Sequence, residues 1–181
     1  MHYKIDASRS QFIVQAFAGG LFSAFGHNPT FVICDFGGDA QFSPAALESA
    51  SLMMSVQPAS LVVIGDVSEK DKREMQRAIR EDVLETSRYP EIIYESSSIA
   101  AKPVAENQFQ VKINGRLSLH GVTREQTIVA QVTPDGEILR AEGEFSLRQS
   151  NYNIKLISVI GGTLKVKDEL KFSFDIRTNK S

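Results

Sequence analysis

The sequence predicts an all-β protein, an antiparallel barrel of about eight strands with one covering α-helix. Much of the chain alternates apolar and polar residues with the period of a half-buried strand, most clearly over residues 109–119 and 170–176. Short turns separate these runs, which is typical of an antiparallel meander, and about eight strands close naturally into a barrel. The sequence has no linker-like composition, so residues 1–181 are predicted to form one domain.

The first half of the chain supplies short alternating strands. They are predicted at residues 12–17, 31–36, 40–42 and 51–56. Between the first two lies AGGLFSAFGHNP, whose glycines and proline exclude a regular strand throughout. Because an apolar loop is seldom left in water, we expect this segment to pack over another part of the molecule. Cys34 falls in an apolar run, where we expect a buried and unreactive thiol.

One segment, from residue 68 to 88, lacks the two-residue alternation of a strand. Met75, Ile79 and Val83 recur at helical spacing among charged residues, which predicts an amphipathic helix with a narrow apolar stripe. Ser68 or Asp66 is a suitable N-cap. Because the charges on this helix are mixed rather than basic, we expect it to lie across the sheet and not on a membrane.

The second half of the chain again consists mainly of predicted strands. Residues 109–119 and 128–132 form a predicted hairpin, with the polar segment 120–124 between them. A PDG turn at residues 134–136 leads to a strand over 139–147. Residues 149–160 look irregular, and 170–176 form the most regular strand in the chain.

Composition excludes some classes of function. The net charge of −2 and the pI near 5.9 argue against a nucleic-acid-binding surface. No run approaches the roughly 20 apolar residues that a transmembrane helix needs. As written, the sequence predicts a soluble cytoplasmic protein, or a periplasmic one if a leader has been removed.

The barrel interior has two possible uses. Its inward positions are mostly Phe, Leu, Val, Ile and Met, with few polar groups to orient a polar guest. Such an interior suits a hydrophobic chain, but it is equally compatible with a packed core that has no cavity.

Four stretches resemble the YceI-like family, lipid-binding barrels with a lipocalin-like shape. These are YKID (residues 3–6), VLETSRYPEIIYESSSI (83–99), NGRLSLHGVTREQTIVAQV (114–132), and the closing strands FSLRQSNYNI and GGTLKVKDELKFSFDI. Together they span nearly the whole chain in the family's order.

The resemblance implies an eight-stranded lipocalin-like barrel that binds or carries an amphiphilic, isoprenoid-type lipid without catalysis, and often dimerises. The positions predicted to line the ligand are Phe12, Val14, Phe31, Ile33, Leu52, Met54, Val111, Ile113, Leu117, Phe145, Leu147, Phe172 and Phe174. Phe22, Phe25 and His27, in or beside the apolar loop, are candidates for a portal or a head-group contact.

No catalytic or metal site is predicted. The three histidines, His2, His27 and His120, lack metal-binding spacing. His120 lies at a strand end, where a local structural role is expected, so His27 is the better functional candidate. We therefore expect no cofactor. Besides a lipid carrier, a structural or stress-associated barrel with a filled core stays open, and an enzyme acting on a hydrophobic substrate around His27 is the least favoured alternative.

Overall fold

In the computed structural model, which describes residues 1–19, 28–156, 158–159 and 164–181, the chain forms a closed antiparallel β-barrel. Its strands are β1 (His2–Ile5), β2 (Gln11–Gly19), β3 (Thr30–Ile33), β4 (Phe36–Gln41), β5 (Ser51–Val56), β6 (Leu61–Ile64), β7 (Ile92–Ala105), β8 (Gln108–Leu119), β9 (Val122–Asp135), β10 (Ile138–Arg148), β11 (Ser158–Val159) and β12 (Leu164–Lys180). The helix α1 spans Glu69–Ala78.

The barrel has eight strands because six of the short strands are halves of three longer ones. β1 and β2 both pair with β12 and together form one strand of the ring. β4 pairs with β1 and β3 pairs with β2, so β3 and β4 form the next strand. In the same way β5 pairs with β4 and β6 with β3, and these two form the strand after that. β7, β8, β9 and β10 complete the ring, and β10 returns to β12. The predicted eight-stranded antiparallel barrel with a covering helix is therefore confirmed.

Local polar groups stabilise the breaks in these long strands. Between β1 and β2, Asp6 accepts hydrogen bonds from the Ser8 backbone N–H and hydroxyl, at 3.1 and 2.6 Å. These bonds and the Arg9 guanidinium hold the pKa of Asp6 well below its usual range. Between β3 and β4, the N–H groups of Cys34 and Asp35 donate to the Ser60 hydroxyl oxygen, which lies in the break between β5 and β6. The breaks in neighbouring strands thus support one another.

The expectation of a buried Cys34 is wrong. Its side chain is exposed, whereas Ile33 and Phe36 on either side of the break are buried. Strict alternation would place Cys34 and Phe36 on the same face. The break at residues 34–35 resets that alternation, and the thiol faces outward.

Helix α1 lies beside β6, a half-strand with one strand partner among the described residues. β5 pairs with β7, but in the described part of the chain β6 pairs only with β3. The helix packs on β6, and Met75 and Ile79 contact the barrel core, as the apolar stripe predicts. Ser68 is the N-cap, since its side chain accepts a hydrogen bond from the Asp71 N–H at 3.1 Å. The helix continues into a π-helical turn over Ile79–Val83.

The hairpin between β8 and β9 is tighter than expected. The turn consists of His120 and Gly121, with φ angles of +52° and +75°, and Leu119 already pairs with Val122. Positive φ at both central residues defines the turn whose twist matches that of the strands. The polar residues from Thr123 to Arg124 therefore belong to β9 and not to the connection.

Candidate functional site

An apolar cavity of about 200 Å³ lies inside the barrel. Eleven of the thirteen predicted lining residues border it: Phe12, Val14, Ile33, Leu52, Met54, Ile113, Leu117, Phe145, Leu147, Phe172 and Phe174. The structure therefore brings together residues from opposite ends of the chain, such as Phe12 and Phe174. They meet because the inward-facing positions of the paired strands point to a common interior.

Phe31 and Val111, the other two predicted lining residues, do not border this cavity. Both are buried, but they belong to packed parts of the core. Val111 lies in the same cluster as Phe42 and Phe109, whose ring centroids are 5.4 Å apart. Phe31 pairs with Val63 of β6, in the cluster against which the helix packs. The alternating pattern therefore predicted correctly that Phe31 and Val111 are buried, but it did not predict that they lie away from the cavity. Phe22, Phe25 and His27 lie outside the described residues.

Phenylalanine rings form one wall of the cavity. Phe145 and Phe172 stack with centroids 4.7 Å apart and planes 6° from parallel. Phe12 makes an edge contact with Phe36 at 5.8 Å and a tilted contact with Phe172 at 6.1 Å. Offset and edge contacts of this kind stabilise aromatic clusters beyond their buried area. The wall is therefore apolar and well packed.

Sequence reasoning missed other lining residues. Ala130, Leu139 and Ala141 have the same inward parity as the predicted positions of their hairpin, so the alternating pattern could have found them. Leu84 and Ile154 lie outside the strands, and no periodic pattern marks them. The polar lining residues Gln126, Gln149 and Thr178 were also missed.

Tyr94 brings a polar group into this apolar space. Its hydroxyl lies 2.9 Å from the backbone oxygen of Gln126 and 3.2 Å from that of Ile113, so one proton is shared between two acceptors. Gly115 leaves room for the ring, since a Cβ at this position would lie 2.7 Å from the Tyr94 hydroxyl. Burial raises the pKa of Tyr94 to about 12. The phenol is therefore neutral at physiological pH.

We expect Tyr94 to contribute to unfolding at alkaline pH. Its pKa rises from 10.0 to about 12 in the folded protein, so the unfolded chain loses this proton first. The contribution is complete below the unfolded value and is lost as the pH rises from about 10 to about 12. In Tyr94→Phe, the free energy of unfolding from urea titrations should fall less over this range than in the wild type. An equal fall in both proteins would contradict the expectation.

His120 has the structural role expected for it. Its Nε2 lies 2.9 Å from a carboxylate oxygen of Glu85, and its Nδ1 lies 3.2 Å from the backbone oxygen of Tyr152. The ring of Tyr89 packs against the imidazole with centroids 4.5 Å apart. These contacts connect the β8–β9 turn to the segment after the helix and to the 3-10 turn Gln149–Tyr152. Both ring nitrogens of His120 therefore lie within hydrogen-bond distance of other groups of the protein.

Other polar groups of the described residues are also engaged in structure. Asp168 accepts hydrogen bonds from the Ser150 hydroxyl and N–H at 2.6 and 2.8 Å, and these bonds lower its pKa. Within the described ranges, no group of three or more His, Cys, Asp or Glu side chains could hold a metal ion. No helix there is long and apolar enough to cross a membrane. The cavity itself is lined mostly by apolar side chains.

Comparison with known proteins gives a consistent assignment. A family model described as YceI-like domain matches residues 3–178. No curated protein matches the chain.

Solved structures show the same fold at low sequence identity. The chain is similar to BcnA of Burkholderia cenocepacia, with a TM-score of 0.73, 19% identity, and coverage of 96% of this chain and 98% of that one. It is also similar to a polyisoprenoid-binding domain from Saccharophagus degradans implicated in plant cell wall breakdown, with a TM-score of 0.71, 13% identity, and coverage of 99% and 98%. A Campylobacter jejuni YceI protein matches with a TM-score of 0.61, 13% identity, and coverage of 83% and 84%.

Proposed function

The chain belongs to the YceI-like family, and on that premise we propose that its barrel binds the apolar tail of an amphiphilic, isoprenoid-type lipid without catalysing a reaction. The observation that carries the proposal is the cavity, which is lined almost entirely by aliphatic and aromatic side chains. The polyisoprenoid-binding domain of similar fold supports the choice of ligand class.

The physical basis of binding is removal of the tail from water. Burying apolar surface contributes about 25 cal/mol per Å², so a long tail gains a large affinity without directed polar contacts. A branched isoprenoid chain is slender, and we expect it to lie against the phenylalanine rings that form one wall of the cavity. The cavity volume of about 200 Å³ is below the roughly 300–1,000 Å³ of sites for drug-sized ligands. We therefore expect side chains such as Met54 and Phe172 to move aside when a long tail enters.

The modest cavity volume also favours a second candidate function. A barrel with a largely filled core, which acts through its surface as a structural or stress-associated protein, needs no ligand. This alternative and the lipid carrier differ in what the purified protein contains.

Gentle solvent extraction of the purified protein followed by mass spectrometry tests the proposal. We expect a reproducible apolar species and a rise in the thermal unfolding midpoint on addition of a long-chain prenyl alcohol, because ligands that bind only the folded state stabilise it. Repeated recovery of empty protein, with an unchanged midpoint, would support the filled-core alternative.

Lipid transport and homodimerisation are parts of the proposal that follow from the resemblance to the family. Transfer of a labelled prenyl lipid from the protein to acceptor vesicles measures the first. Sedimentation equilibrium measures the second, and a single monomeric species at micromolar concentration would contradict it.

A further inference from the structure

Three connections between secondary-structure elements meet at one end of the barrel. The first follows the π-helical turn and leads into β7, the second is the turn between β8 and β9, and the third follows β10. Ile93 of β7 pairs with Ser118 of β8, and Leu119 pairs with Val122, so β7 begins beside the β8–β9 turn. Because β10 is antiparallel to β9, the end of β10 lies where β9 begins. We call this part of the molecule the turn end of the barrel.

His120 joins these three connections. Its Nε2 lies 2.9 Å from a carboxylate oxygen of Glu85 in the first connection, and its Nδ1 lies 3.2 Å from the backbone oxygen of Tyr152 in the third. The His120 side chain is 8% exposed and Tyr152 is buried, whereas the Glu85 side chain reaches the surface. Hydrogen bonds that are shielded from water are stronger than exposed ones. We refer to His120, Glu85 and Tyr152 as the clasp.

Aromatic packing adds to the contacts of the clasp. The Tyr89 ring lies against the imidazole with centroids 4.5 Å apart, and a Cβ at Gly121 would lie 2.7 Å from the same ring. Glycine at the second position of the turn therefore lets Tyr89 approach. Arg88 lies over the Tyr89 ring, 5.2 Å from its centroid, and also pairs with Glu85 at 3.9 Å. The connection into β7 thus rests on the turn through an aromatic contact as well as through Glu85.

The backbone around the clasp adopts unfavourable dihedral angles. Glu85, His120 and Asn153 have φ angles of +44°, +52° and +55°, and they are three of the four non-glycine residues with positive φ in the described ranges. Glutamate is found in this region of φ less often than His or Asn, and such strain persists where surrounding contacts hold it. Glu85 also lies two residues after the π-helical turn Ile79–Val83, an irregularity that is frequent at functional sites. The contacts of its side chain therefore help to hold a strained segment in place.

Each of the three connections lies next to side chains that border the apolar cavity. Leu84 and Leu119 border it, and each directly precedes a clasp residue in the chain. Gln149 and Ile154, on either side of the third clasp residue, border it as well. Separation of the connections therefore moves these side chains apart and widens the cavity at the turn end. The volume of about 200 Å³ is small for a long tail, so entry of the tail requires a movement of this kind.

We propose that the clasp is a gate: the connection into β7 swings away from the β8–β9 turn to admit the lipid tail and closes again once the tail is inside. The inference rests on the proposed function and adds the route by which the ligand enters. The three clasp residues do not themselves border the apolar cavity. They therefore position the gate and do not bind the tail.

Stopped-flow mixing with a fluorescent prenyl lipid tests the gate. We expect His120→Asn to raise the association and the dissociation rate constants together, each by at least about tenfold, the factor that corresponds to loss of one hydrogen bond to a charged group. Asparagine tolerates the positive φ of the turn but is too short to reach both partners of the imidazole. The dissociation constant should stay close to the wild-type value, because the clasp is closed in both the free and the bound protein.

Glu85→Gln should raise both rate constants by a smaller factor, because it removes the charge of the acceptor but keeps its length. Glu144→Gln is the matched control. Glu144 pairs with Lys171 on the exposed surface of the barrel at the same distance of 2.9 Å. We expect wild-type rate constants for this control. Glu85→Gln changes a single surface group, so it remains decisive should His120→Asn fail to fold.

The outcomes separate this inference from the proposed function. If the wild type binds the lipid but neither clasp variant changes the rate constants, the gate is wrong and lipid binding stands. A rise in the dissociation rate constant alone, with weaker affinity, would show that the clasp supports the binding site and does not control entry, which also overturns the inference. If the wild type binds no prenyl lipid, both proposals fail.

Discussion

Ala141→Phe is expected to lower lipid affinity by at least tenfold, about 1.4 kcal/mol, while the barrel stays folded. Ala141 lies on β10 and borders the apolar cavity, opposite Ile176 of β12. A phenyl ring at this position projects into a space of about 200 Å³. It therefore occupies the volume that the lipid tail needs. Titration with a fluorescent prenyl lipid measures the loss.

Ala100→Phe is the matched control for this blocking variant. Ala100 is an exposed residue on the outer face of β7, so the same substitution adds a ring outside the barrel. We expect its lipid affinity to equal that of the wild type. Wild-type affinity in Ala141→Phe, with an intact fold by circular dichroism, would show that the lipid binds elsewhere.

Gly115→Ala is expected to destabilise the barrel by about 3 kcal/mol, at the upper end of the usual cost of overpacking a core. A Cβ at Gly115 would lie 2.5 Å from the backbone oxygen of Glu95 and 2.7 Å from the ring of Tyr94. The Tyr94 ring cannot retreat without losing the hydrogen bonds of its hydroxyl to Ile113 and Gln126. Urea unfolding measures the difference in free energy.

Gly37→Ala is the matched control for the glycine variant. Gly37 also lies in a strand, but a Cβ there meets nothing within 4 Å and its φ is not positive. We expect a change within about 0.5 kcal/mol, as at most surface positions. Equal destabilisation by the two substitutions would mean that the loss of glycine in a strand, and not the space under Tyr94, is responsible.

Local sequence patterns were sufficient to predict much of the fold of this protein. The alternation along β8 and β12 identified inward residues such as Ile113, Leu117 and Phe172. The spacing of Met75 and Ile79 identified the helix, and Ser68 was one of its two predicted N-caps. These features could be predicted because the 2-residue period of a strand and the 3.6-residue period of a helix are visible in neighbouring residues.

Features that depend on distant partners were missed. The exposure of Cys34 follows from a break that Ser60 stabilises from a neighbouring strand. Val111 is buried but does not border the cavity, and it lies in the core cluster that contains the packed rings of Phe42 and Phe109. Alternation gives the face on which a side chain lies, but not what occupies the space it faces.

The antiparallel barrel, its covering helix and the apolar character of its interior could all be predicted from local sequence patterns. Contacts between distant segments set which inward residues border the cavity, and they set where the pairing of β9 with β10 ends, at Val129 opposite Glu144. Side-chain alternation is a property of each strand alone, so neighbouring residues are enough to reveal it. The end of a strand pair and the filling of the space between strands are set by hydrogen-bond register and packing between segments that are distant in the chain.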